Sequence, residues 1–213
     1  MSGAKRKAVL IYGASEYGAV LRDLVSDLGL AFAGYVDDWN AGTGVIGGFA
    51  EMVRNCKADE CDVVIAVGYK HLRARRELAQ RIKAHGFGLP SLVHSRAYLS
   101  ATARLSEGCV VMAGAIVDTS AALGELTVLW PGAIVNHHSI LEGNTFMCPA
   151  STVCGNTRVG IDCFVGAGAT VVDGIVVPAA TFVKAGSVYS GARSVKASSV
   201  TPLRGAAESF RKE

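Results

Sequence analysis

The sequence has no run of about 18 uninterrupted apolar residues, the length a helix needs to cross a bilayer. It has no Lys/Arg cluster interleaved with aromatics, so it offers no surface for tracking a nucleic-acid backbone. Its net charge of +3 is too weak to point to nucleic acid, although it suits an anionic small molecule. Charged residues make up only 18% of the chain and hydrophobic residues 50%, a balance that excludes a disordered protein. The basic stretch Met1 to Lys7 leads into an apolar run, Ala8 to Tyr12, that is too short for a signal-peptide core and ends at glycine. Cys109 and Cys163 fall at small inward corner positions, Cys56, Cys61, Cys148 and Cys154 show no CxxC spacing, and all six are expected as structural thiols in a reducing compartment, with no metal and no disulfide. These absences predict a cytoplasmic protein with no membrane span.

What is present is a period of six. Every sixth residue from Val93 to Val183 is aliphatic, and four residues after each comes a small side chain, from Ala97 to Ser187, with Ile175 the exception. A six-residue beat fits neither a helix, at about 3.6 residues per turn, nor a flat strand, at about 2. It is the mark of a hexapeptide-repeat parallel β-helix. Each coil has three flat sides, with an aliphatic residue inward from each and a small residue where the chain turns. Gly114, Gly132, Ala150, Gly168 and Gly186 recur every eighteen residues, which is one coil.

Residues 5–89 read differently. Ala8 to Tyr12 is a continuous apolar run, as in a strand buried on both faces. Val20, Leu21, Leu24, Val25 and Leu28 then have helical spacing, stopped by Gly29. Phe32 to Val36 and Val63 to Val67 read as further strands, and His71 to His85 as a basic amphipathic helix stopped by Gly86. Strand and helix in alternation predict a small α/β unit with a parallel sheet. The expected domains are 1–90, an α/β half-Rossmann unit; 91–190, the β-helix; and 191–213, a tail that forms a short helix or stays mobile.

Two features of the first unit point to a nucleotide. Gly13 and Gly18 bracket a strand-to-helix turn, where free N–H groups attract phosphate. The GxGxxG fingerprint is incomplete, because position 15 is Ser, and an ordinary tight turn is the alternative. The second strand ends in Asp37 and Asp38, where a carboxylate can accept from a ribose hydroxyl or a base N–H; a solvated turn is the alternative there. Together they favour a nucleotide. A complete dinucleotide cofactor fits poorly, since residues 5–89 leave room for about half of such a fold.

Asn136-His137-His138 is the chemically richest segment. Val135 is the inward residue, so Asn136 points outward and the two histidines fall at a corner. Eighteen residues after His137 comes Gly155, which stacks one coil away on the same edge. An imidazole beside a bare backbone N–H is the minimal equipment for acyl transfer: a base for the nucleophile's proton and a donor for the oxyanion.

The segments GASEYG, YVDD, IAVGYKHLR, PGAIVNHHSILEGN and GAGATVV, in this order, resemble the PglD/NeuD-type sugar acetyltransferases over residues 5 to 190 or so. The resemblance implies a left-handed β-helix, assembly as a homotrimer with sites between neighbours, and acetyl-CoA as co-substrate. It implies His137 as catalytic base, Gly155 as oxyanion donor, and substrate contacts at Ser15, Glu16, Tyr17, Asp37, Asp38 and Gly47. It places acetyl-CoA contacts near Phe146, Ala167 and Ala185. Three positions depart from the family pattern. Tyr17 replaces a histidine of the first motif, His138 replaces the acidic partner of the base, and Phe146 replaces a second histidine. The implied activity is N-acetylation of a nucleotide-linked 4-amino-4,6-dideoxy sugar. The alternatives are O-acetylation of a sialic-acid-type sugar, and a sugar-binding trimer that has lost its chemistry.

Overall fold

The computed structural model describes residues 6–191. The expected tail, apart from Gly191, lies outside the described residues. The chain forms two compact units, Met1–His94 and Ser95–Glu213. The boundary read from the sequence at Pro90 falls slightly earlier.

In the first unit the elements run β1 (Ala8–Tyr12), α1 (Glu16–Asp27), β2 (Phe32–Val36), α2 (Phe49–Asn55), β3 (Cys61–Ile65), a short 3-10 turn (Tyr69–His71) and α3 (Leu72–Ala84). The sheet is parallel, in the order β2-β1-β3. β1 is central, which explains why its sequence is apolar without alternation: Val9, Leu10, Ile11 and Tyr12 are all buried. The third strand begins at Cys61 rather than Val63, because pairing with β1 extends it: Ala8 faces Cys61 and Val9 faces Asp62. The chain leaves β1 for β2 on one side and returns to β3 on the other, so β1 marks the topological switch point, where ligands of open α/β sheets bind.

The second unit is a left-handed parallel β-helix of two-residue strands. Among its described residues the three faces contain five, six and five strands. Each strand pairs in register with the one eighteen residues on, as Ile116 with Ile134 and Ile134 with Thr152. Two residues per side point inward. Val111, Val117, Leu123, Leu129, Val135 and Leu141 are fully buried, and so are the small residues Ala115, Ala121, Thr127, Ala133 and Ser139. Burial of each large aliphatic contributes about 1.5–3 kcal/mol. The hydroxyls among the small residues donate to carbonyls at the corners, Thr127 to Gly124 at 2.8 Å and Ser139 to Cys154 at 2.7 Å, which makes polar residues tolerable on the axis. Ile175, the exception to the small-residue rule, also points inward at 1% exposure.

Each corner is a two-residue turn. Its second residue has positive φ at every sixth position from Gly108 to Gly186, including Ser120, His138, Ala150 and Asn156. From Leu126 onward the N–H of that second residue donates to the carbonyl of the first turn residue one coil below: His138 to Thr119 at 2.9 Å, Asn156 to His137 at 3.0 Å, Gly174 to Gly155 at 3.0 Å. The first turn residue needs no N–H for this ladder, and Pro131 and Pro149 occupy that position on another edge. Among the described residues no helix is long and apolar enough to cross a membrane.

Candidate active site

Two sets of residues stand out, one in each unit. In the first, β1 is followed by Gly13, whose φ of +115° suits only glycine. Ser15 caps α1 and accepts from the Gly18 N–H at 3.4 Å. Gly18 has no room for a side chain, since a Cβ there would collide with the Gly13 carbonyl oxygen. Glu16 is exposed in the first turn of α1.

Asp37 and Asp38 follow β2 and behave differently. Asp37 is 8% exposed, and its carboxylate is filled by protein donors. Oδ2 accepts from the Ala14 N–H at 2.8 Å and the Asn40 side chain at 3.1 Å; Oδ1 accepts from the N–H groups of Trp39 at 3.0 Å and Asn40 at 2.9 Å. Burial alone would raise its pKa, but these bonds, led by that from Ala14, hold it down at about 2. Asp37 therefore positions the loop after β1. Asp38 is exposed; it accepts from the Tyr12 hydroxyl and, at 2.7 Å, from the Phe49 N–H that opens α2. Burial, and then the bond to Asp38, push the Tyr12 pKa up.

Gly47 accepts the Asp37 N–H at 3.0 Å through its carbonyl, and a Cβ on it would meet Glu51 Cβ at 2.5 Å. It fixes the segment leading into α2, and only backbone atoms are there to meet a ligand. Burial pushes the Tyr17 pKa up to about 12. Its hydroxyl is enclosed, so this side chain packs inside the unit.

In the second unit His137 and His138 form one corner turn, both exposed. Their Nδ1 atoms are 3.3 Å apart and the rings are close to perpendicular, at 77°. The His137 ring lies across Gly155: a Cβ on residue 155 would sit 2.5 Å from His137 Cε1 and 2.6 Å from Nε2. Gly155 holds the first position of its turn, whose N–H the coil ladder does not use. The structure therefore brings together an imidazole and a backbone donor on one edge.

The family model for the PglD N-terminal domain matches residues 8–82. PerB from Caulobacter crescentus, solved with CoA and GDP-perosamine, is 30% identical, with 89% of this chain and 91% of that one covered and a TM-score of 0.80. The chain belongs to the PglD/NeuD-type sugar acetyltransferases. The acetyltransferase domain of PglB from Neisseria gonorrhoeae FA1090 is 29% identical, covering 87% of this chain and 92% of that one, with a TM-score of 0.78. The same domain solved with acetyl coenzyme A matches at 27% identity over 88% of this chain and 95% of that one, with a TM-score of 0.77.

Membership in this acetyltransferase family makes the protein an acyltransferase and directs attention to Phe146, Ala167 and Ala185. Ala167 and Ala185 are exposed first-turn residues, stacked on a different edge from His137. Phe146 is at the outer position of its strand, paired in register with Phe164, and is 2% exposed in the protomer. One chain therefore does not gather all six of the residues expected around the acyl donor and the base. The turn from Asp37 to Asn40 was not singled out in the sequence as a braced unit; an Asp followed three residues later by Asn was its available signal.

Proposed function

We propose that this acetyltransferase moves an acetyl group from acetyl-CoA to the amine of a nucleotide-linked 4-amino-4,6-dideoxy sugar. The observation that carries the mechanism is the His137 ring lying across Gly155. The amine nitrogen attacks the thioester carbonyl as His137 Nε2 takes its proton. A C–N bond forms, and negative charge gathers on the carbonyl oxygen beside the Gly155 N–H. The tetrahedral species then expels the CoA thiolate, which leaves with the proton that His137 held. For Nε2 to act as base, His137 Nδ1 must carry a hydrogen, and His138 Nδ1, 3.3 Å away, is the acceptor in reach. His138 thus takes the orienting role that an acidic residue fills in the family pattern.

The α/β unit serves as the nucleotide-sugar-binding domain in this proposal and the β-helix as the transferase domain. PerB bound to CoA and GDP-perosamine supports the class of both substrates. The separation of Ala167 and Ala185 from His137 by an edge supports a homotrimer, in which one copy's acyl-donor groove faces its neighbour's base. A cytoplasmic setting follows from the supply of acetyl-CoA there. The test is thiol release from acetyl-CoA with a panel of nucleotide 4-amino sugars. The proposal expects release that depends on both the amine and His137, and no release with any member would overturn it.

A further inference from the structure

Trp39 is 85% exposed, the highest value among the exposed large hydrophobic side chains of the described residues. An indole left in water is costly unless something covers it in use. Its backbone is nevertheless held firmly. The Trp39 N–H donates to Asp37 Oδ1 at 3.0 Å, and Asn40 donates to both oxygens of the same carboxylate. The other Asp37 oxygen accepts the Ala14 N–H at 2.8 Å, which ties this turn to the loop between β1 and α1. On the other side, Asp38 is fixed by Tyr12 and Phe49. The indole is therefore carried by a braced turn at the carboxyl end of β2, one strand from the glycine turn that opens α1. In α/β sheets of this winding, the phosphates lie at the first strand's turn and the ribose at the acidic end of the second strand. The base lies next along that line.

We propose that the Trp39 indole is the stacking platform for the nucleobase of the substrate. The proposal rests on the nucleotide-sugar reading above and deepens it by naming the residue that supplies base affinity. Stacking uses the π-face that every base has, so Trp39 supplies affinity and leaves discrimination between bases to polar groups. Preorganisation by Asp37 means that little order remains to be gained on binding.

The test is isothermal titration of the full chain with GDP, UDP and dTDP, comparing wild type, Trp39→Ala and Trp39→Phe. For the nucleotide that binds wild type most tightly, Trp39→Ala is expected to weaken affinity by roughly 5- to 150-fold, the usual value of one base–aromatic stack. Trp39→Phe should retain most of the affinity, and neither change should alter acetyl-CoA affinity, Tm or oligomeric state. Equal nucleotide affinity in wild type and Trp39→Ala would overturn the platform alone. A loss accompanied by a changed oligomeric state and not restored by Trp39→Phe would also overturn it, by making Trp39 an assembly residue. If wild type binds none of the three nucleotides, the nucleotide-sugar reading itself fails.

Discussion

The Asp37 carboxylate accepts the Ala14 N–H at 2.8 Å, joining the end of β2 to the loop that follows β1. Its pKa, lowered from 3.8 to about 2, makes this join pH-dependent. The unfolded chain takes up the proton first as pH falls. The stabilisation, about 2 kcal/mol, is complete above pH ~4 and lost as pH falls through ~2. Asp37→Ala should lower the urea midpoint at neutral pH and remove most of that acid dependence, as read by circular dichroism.

The alkaline side has the opposite sign. Burial raises the Tyr17 pKa to about 12 and also pushes Tyr12 up. An acid kept neutral in the fold gives up its proton more readily once unfolded. Its contribution is intact below the ordinary tyrosine pKa near ~10 and declines as pH rises toward the folded value. A tyrosinate absorbance titration should therefore show a late component, ionising together with unfolding, that shrinks in Tyr12→Phe and in Tyr17→Phe. A late component unchanged in both variants would contradict the burial of these side chains.

His137→Ala should reduce turnover by roughly 10²–10⁴-fold, the usual contribution of a general base. Because the side chain is exposed, Tm should hardly move. His138→Ala should cost less, roughly five- to tenfold in kcat, about the value of one hydrogen bond. His138→Asp should recover or exceed the wild-type rate. An unchanged kcat in both alanine variants would remove the pair from the mechanism.

Gly155→Ala tests the same corner without touching a titrating group. Gly155 is not among the positive-φ residues, so its backbone accepts alanine. The added methyl would fall 2.5 Å from His137 Cε1 and must displace the ring. A displacement on that scale costs roughly 100-fold in kcat. Fold and acetyl-CoA affinity should persist, and full activity in this variant would show that the ring position is irrelevant.

Assembly can be tested by complementation. His137→Ala and Ala167→Trp should each be inactive alone, the first for lack of a base and the second from a blocked donor groove. If the groove lies between copies, co-expression should restore part of the activity in mixed trimers. Failure to restore any would place both groups on one copy.

The β-helix was legible because its period is set by geometry that no other fold shares. One aliphatic per side and one coil per eighteen residues leave the pattern on every hexad, and the stacking of His137 on Gly155 could be counted from it. The α/β unit was legible in its strands and long helices, where apolar runs or spacing are unambiguous. α2 escaped because it has only seven residues, starts after two glycines, and depends on a distant carboxylate, Asp38, for its first N–H. The two roles of Asp37 and Asp38 were equally hidden. Adjacent identical residues give no sign that one will be buried and saturated by Ala14, Trp39 and Asn40 while the other stays exposed and binds Tyr12 and the start of α2.

The pairing of each strand with the one eighteen residues away has a consequence for how such a chain can change length. Excising or duplicating one whole coil returns every side chain to its own face, whereas a change of six rotates all later residues by one side of the prism. Coils beyond those that carry 137 and 155 can then be gained or lost while the two remain adjacent.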